Sequence, residues 1–133
     1  MTRFLVDTSA YSAFMRGHPD VKDLIQGADT IYLTPIVLGE LRAGFERGRK
    51  RLENERTLEQ FLASLRARVV GLDEGTAERY ATIYNVLRKA GTPIPINDVW
   101  IASSAMQHGL TIVTTDGHFN KVVQVLVHHV SPA

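Results

Sequence analysis

"PIPINDVWIASSAMQHGLTIVTTDGHF", residues 93–119, carries the reading of the fold. Pro93 and Pro95 stiffen a loop, and Asn97 or Asp98 then opens a helix, "DVWIASSAMQHG". "LTIVTTD", rich in β-branched residues, is a strand that ends on Asp116. A helix feeding directly into a buried strand is half of a parallel crossover, and the same alternation runs through the rest of the chain.

Working toward the N-terminus, "DEGTAERYATIYNVLRKAG" is a long amphipathic helix. Tyr80, Ile83, Tyr84 and Leu87 lie on one face and Gly91 is its C-cap. "RVVGL", residues 68–72, reads as a strand. The charged stretch "RGRKRLENER" leads into a helix carrying Leu58, Phe61, Leu62 and Leu65. Before it, "IVLGELRAGFERG" has helical spacing through Val37, Leu38, Leu41 and Phe45, and "TIYLT", residues 30–34, is a strand stopped by Pro35. Pro19 suits the first turn of a helix ended by Gly27. "FLVDTSAYSAF", residues 4–14, runs a short buried strand into Asp7 and a helix closed by Gly17. Toward the C-terminus, "VVQVLV" reads as a fifth strand. The pattern predicts one α/β domain over residues 1–133, with three layers and a mostly parallel central sheet of about five strands.

Composition narrows the function classes. With 44% hydrophobic and 22% charged residues, the 133-residue chain has apolar material for a core without cross-links. It contains no cysteine, which excludes a disulfide scaffold, a thiolate zinc site and a cysteine nucleophile, and fits a reducing cytoplasm. "MTRFLVDTSA" turns acidic too soon for a signal peptide, and no apolar run approaches the roughly 20 residues that span a bilayer. A formal net charge of +1 says little about partners, so affinity for nucleic acid requires a local patch.

Sites in open parallel sheets form beyond the carboxyl ends of the strands. Asp7 and Asp116 stand at such ends, Asp98 near the start of a helix, and Glu40 about one turn into another. Taken singly, Asp7 and Asp98 also read as N-caps, Glu40 as a solvated helix residue and Asp116-Gly117 as a turn. Together, they place four carboxylates at one end of the sheet. Their mutual repulsion calls for a hard divalent cation, Mg²⁺ or Mn²⁺ rather than zinc.

"FLVDTSAYSAF", "TPIVLGELRAG" and "PIPINDVWIASSAMQHGLTIVTTDGHF" resemble, in order and spacing, the motifs of PIN-domain nucleases, nearest to the VapC-like toxins of type II toxin–antitoxin systems. The resemblance implies a Rossmann-like sheet in the order 3-2-1-4-5. It implies that Asp7, Glu40 and Asp98 hold the metal, with Asp116 at a fourth position that varies in the family. It implies a metal-dependent endoribonuclease leaving a 5′-phosphate and a 3′-hydroxyl. It also implies a homodimer and a cognate antitoxin whose C-terminal segment silences the toxin. Thr114, and Thr8 or Ser9, would orient a metal ligand or a water; ordinary capping is the competing reading. Since the chemistry needs no 2′-hydroxyl, a preference for RNA has to arise from binding.

Arg42, Arg47, Arg49 and Lys50, with Arg51, form a basic run after Glu40. It reads as a source of phosphate contacts or, interrupted by Glu46, Glu53 and Glu55, as a solvated turn. Of the five scattered histidines only His118 stands as a substrate contact, and Trp100 reads as packing. The faces around Tyr80, Tyr84 and Leu58 are open to two readings, partner surface or interior. A dehalogenase-type phosphatase would need an Asp where Ser9 stands, and a receiver domain would need paired acids at the first strand and a late Lys. The remaining alternative is a non-catalytic PIN-like module that binds RNA or protein.

Overall fold

The computed structural model describes residues 1–132. Five strands form one sheet: β1 (Arg3–Val6), β2 (Thr30–Leu33), β3 (Ala67–Val69), β4 (Thr111–Thr114) and β5 (Val127–His129). The order is β3-β2-β1-β4-β5 and every pairing is parallel, as the alternation of helix and strand requires. Six helices connect and flank the strands: α1 (Thr8–Met15), α2 (Pro19–Gly27), α3 (Pro35–Arg47), α4 (Arg51–Leu62), α5 (Glu74–Lys89) and α6 (Ile96–His108). Adjacent residues Leu5 and Val6 of β1, and Ile112 and Val113 of β4, are all fully buried. Successive strand side chains point to opposite faces, so both faces of the central strands are covered.

Local signals explain most boundaries. Pro19 and Pro35 occupy first turns, where a missing N–H costs nothing, and the Thr34 hydroxyl accepts from Val37 N–H to cap α3. Gly109 closes α6 at φ +65°, a left-handed conformation that lets the chain reverse into β4.

Four expectations are corrected. The charged stretch is itself helix from Arg51 onward; Leu58 is the one buried residue of that helix, and Arg51, Glu53 and Arg56 face solvent. α4 ends at Leu62, leaving Leu65 outside the helix and 91% exposed. The third strand lies at 67–69, because its register is set by pairing Ile31 with Ala67. The fifth strand is not "VVQVLV" but Val127–His129: a 3₁₀ turn over Gly117–Lys121 takes up the chain, and Val123 and Leu126 face solvent. Trp100 is used in packing, stacked on Tyr80 with ring centroids 4.2 Å apart, and Leu58 is internal.

The β1–β4 pairing positions the carboxylates. Here the strand order reverses, β2 leaving to one side of β1 and β4 to the other. Val6 pairs with Val113, so the carboxyl ends of these strands, with Asp7 and Thr114, stand side by side.

Candidate metal centre at the strand ends

Asp7 continues β1 and caps α1, its Oδ1 accepting from Ala10 N–H at 2.8 Å. It is only 3% exposed. Ser9 Oγ lies 2.8 and 2.9 Å from its two oxygens, and Thr114 Oγ1 donates to Oδ2 at 2.6 Å. Thr114 in turn accepts from Asp116 N–H, and Ser9 accepts from Thr115 N–H. The ends of β1 and β4 are thus laced through one carboxylate. Burial raises the pKa of Asp7, against the lowering effect of the bonds from Thr114, Ala10 and Ser9, and the charge on Asp116 raises it further.

Glu40 reaches in from the second turn of α3. Its Oε1 accepts from Thr8 Oγ1 at 2.6 Å and its Oε2 from Asn97 Nδ2 at 3.3 Å. Asp98 stands in the first turn of α6, three residues beyond its N-cap, Pro95, so it is not the cap that one reading of the sequence allowed. That position favours an anion through the helix dipole. Even so, its pKa is pushed up to about 6, first by burial, then by the charges of Asp116 and Asp7, with His118 opposing and Glu40 adding to the rise. Asp116 caps the 3₁₀ turn, accepting from His118 N–H at 2.9 Å.

These four carboxylates border one cleft. Its inner part, about 240 Å³, is lined by Asp7, Thr8, Ser9, Glu40, Asp98 and Asp116 among others. An outer part of about 470 Å³ shares Glu40, Asp98 and Asp116 and adds Asn97 and His118. Within it, Asp98, Asp116 and His118 each offer a ligand atom, all within 4.8 Å of one another. The tight group therefore contains a histidine that the sequence suggested only as a substrate contact, and Asp7 and Glu40 line the cleft outside that group. Thr8 and Ser9 serve different carboxylates, since Thr8 holds Glu40 and Ser9 holds Asp7. Asn97 was missed as a site residue; its only signal was adjacency to Asp98 in the first turn of α6.

The basic run is divided between an ion pair and exposed positions. Arg42 pairs with Glu55, linking α3 to α4. Arg47, Arg49 and Lys50 are exposed at the end of α3 and the start of α4. Among the described lining residues of the cleft there is no Lys or Arg. The donor set is carboxylate oxygen with one imidazole, in a concave site where like charges already repel. It fits a hard or borderline divalent cation.

A family model described as PIN domain matches residues 4–124. Ribonuclease VapC4 of Mycobacterium tuberculosis is 35% identical over 92 residues, 69% of this chain and 71% of that protein. The crystal structure of VapBC2 from Rickettsia felis bound to a DNA fragment from their promoter superposes with a TM-score of 0.82 at 25% identity, covering 96% of this chain and 98% of that one. A member of the VapBC family of toxin–antitoxin systems, VapBC-5 from Mycobacterium tuberculosis, gives 0.78 at 25% identity, covering 98% and 100%.

Proposed function

This chain belongs to the PIN-domain family, in its VapC-like group, and on that premise we propose that it is a Mg²⁺- or Mn²⁺-dependent endoribonuclease toxin. The observation that carries the reading is the cleft at the β1–β4 switch point, where Asp7, Glu40, Asp98 and Asp116 meet and where burial, followed by the charges of Asp116 and Asp7, raises the pKa of Asp98. A fold does not need that accumulation, and it is costly without a cation.

Asp98 and Asp116, with Asp7 and Glu40 behind them, would hold the ion. A bound divalent ion supplies a water of lowered pKa and neutralises charge on the scissile phosphate. The chain's own groups set the stage for that chemistry. Thr114 and Ser9 fix the rotamer of Asp7, and Thr8 and Asn97 fix both oxygens of Glu40. Because each of these carboxylate oxygens has a fixed donor, little reorganisation is required when the ion and a phosphate arrive. Arg47, Arg49 and Lys50, outside the cleft, are the proposed contacts for more distant phosphates of the RNA. Arg42, held by Glu55, contributes only if that pair opens.

The partner is inferred from the relatives, some of which were solved as VapBC toxin–antitoxin assemblies. A cognate antitoxin would silence this chain, and a homodimer is the expected assembly. No helix among the described residues is long and apolar enough to cross a membrane. The cytoplasm, where RNA is found, is the proposed compartment.

The test is cleavage of a mixed cellular RNA pool by antitoxin-free protein, with Mg²⁺, with Mn²⁺ and with a chelator, beside Asp98→Asn. Discrete products that need the metal and vanish in the variant are expected. Folded protein that retains RNA but never cuts it would overturn the nuclease and leave the non-catalytic module.

A further inference from the structure

We propose that His118 is a ligand to the divalent ion held by Asp98 and Asp116, giving this centre a nitrogen donor that favours Mn²⁺ over Mg²⁺. The inference rests on the metal-dependent reading above and names the residue that sets its ion preference.

His118 Nδ1 lies 3.0 Å from Asp116 Oδ1 and 3.5 Å from Asp98 Oδ2. Adjacent donors around an octahedral ion with bonds of about 2.1 Å stand about 3 Å apart; Nδ1 meets that spacing with Asp116 Oδ1 and approaches it with Asp98 Oδ2, and the ligand atoms of all three residues lie within 4.8 Å of one another. The backbone holds the ring there: His118 N–H donates to Asp116 Oδ1 at 2.9 Å, and the 3₁₀ turn carries the imidazole back over the carboxylate that caps it. Phe119, fully buried next along the chain, anchors the turn. The side chain of His118 is 44% exposed, so the ring can adjust to an ion without disturbing the core.

The surroundings leave this corner to the imidazole. Among the described lining residues no Lys or Arg competes for it; His118 is the one imidazole among them, and the side-chain nitrogen of Asn97 is turned to Glu40. Mg²⁺ keeps to oxygen ligands and gives up water reluctantly, whereas Mn²⁺ accepts imidazole beside carboxylate more readily. A simple ion pair between a protonated His118 and the two acids would show the same spacing. The two arrangements differ in one respect, which is whether nitrogen is bonded to the ion.

That bond can be read without any catalytic assay. Mn²⁺ is titrated into the full chain, free ion is followed by electron paramagnetic resonance, and ¹⁴N modulation of the electron spin echo is recorded for wild type, His118→Ala and His118→Gln. Thermal melts establish that each variant is folded. Wild type should show imidazole ¹⁴N modulation that both variants lose. Mn²⁺ affinity should fall about tenfold in His118→Ala, while Mg²⁺ affinity, read by competition, stays within about twofold. Mn²⁺ bound with no nitrogen modulation, or with the Mn²⁺:Mg²⁺ ratio unchanged in the variants, overturns this inference and leaves the carboxylate site standing. No binding of Mn²⁺ at millimolar concentration overturns the metal-dependent reading as well.

Discussion

Asp7 and Asp73 each precede a helix and cap it in the same way, through a side-chain oxygen that accepts from the backbone N–H three residues on. Each is also met by a hydroxyl, Ser9 or Thr114 for Asp7 and Thr76 for Asp73. Their charges fare in opposite ways. Asp73 is exposed, and the hydrogen bond from Gln107, followed by that from Thr76 N–H, lowers its pKa. Asp7 is buried, and desolvation outweighs a comparable set of bonds and raises its pKa. Capping therefore accounts for Asp73 completely. It does not account for the depth of Asp7, because a cap works as well in water. The excess burial sets Asp7 beside three more carboxylates and between the ends of β1 and β4, a placement that capping does not require.

Activity should separate the two aspartates most widely. Asp7→Asn should cut metal-dependent RNA cleavage by more than about 100-fold, the upper end of what loss of a supporting metal contact costs. Asp73→Asn should leave it within about twofold in the same gel assay. Equal losses would mean that Asp7 acts only as a cap.

Stability should move in opposite directions. In chelator, Asp7→Asn relieves a buried charge and raises Tm, while Asp73→Asn removes a favoured charge and lowers it. Millimolar Mg²⁺ should raise Tm of the wild type, since an ion that binds the native state stabilises it by mass action, and should do so less in Asp7→Asn. Differential scanning fluorimetry reads all four shifts.

The pH dependence should distinguish the cleft from the exposed cap again. Asp98 titrates near 6 when folded against about 4 when unfolded, and Asp7 is shifted in the same direction. A folded state that holds its protons more tightly loses stability as pH rises, so in chelator the urea midpoint should fall between pH 4 and about 6 and then level. Asp98→Asn should flatten much of that slope. Asp73 contributes with the opposite sign, adding stability above its unfolded pKa and losing it as pH falls below. A midpoint that climbs steadily from pH 4 to 7 in wild type would contradict the raised carboxyls.

The smallest effect is expected of Thr114→Val, which removes one donor to Asp7 and the acceptor for Asp116 N–H while keeping the shape. It should cost about 1 kcal/mol, roughly 4 °C in Tm, and weaken Mg²⁺ binding by up to about tenfold.

Much of the fold was legible. Every helix but α4 announced itself by period and by its capping or Pro and Gly punctuation, whereas α4, with Lys50 and Ala63 at its ends, was misplaced at both; four of the five strands were found within about three residues of their places. The failures share a cause. "VVQVLV" has the composition of a strand, but β5 begins at its last residue, because a strand exists where β4 offers a partner and composition says nothing of register. Leu65 fits a helical face and is exposed, because the chain must leave α4 in time to pair β3. That the four acidic residues line one cleft was legible from their places at strand ends and in the early turns of helices. Their partners were not. Thr8 bonds a carboxylate 32 residues away and Thr114 one 107 residues away, separations that no local spacing encodes.

Sequence alone dictated the alternation that forces a parallel sheet, the absence of thiol chemistry and the presence of acids where crossovers end, since these depend on composition and local period. Tertiary structure settled which acids share a cleft, which hydroxyl holds which oxygen, that Arg42 is taken by Glu55, and that His118 stands between Asp98 and Asp116. Those outcomes depend on strand order and on the burial of charge, which arise only when segments far apart in the chain are packed side by side.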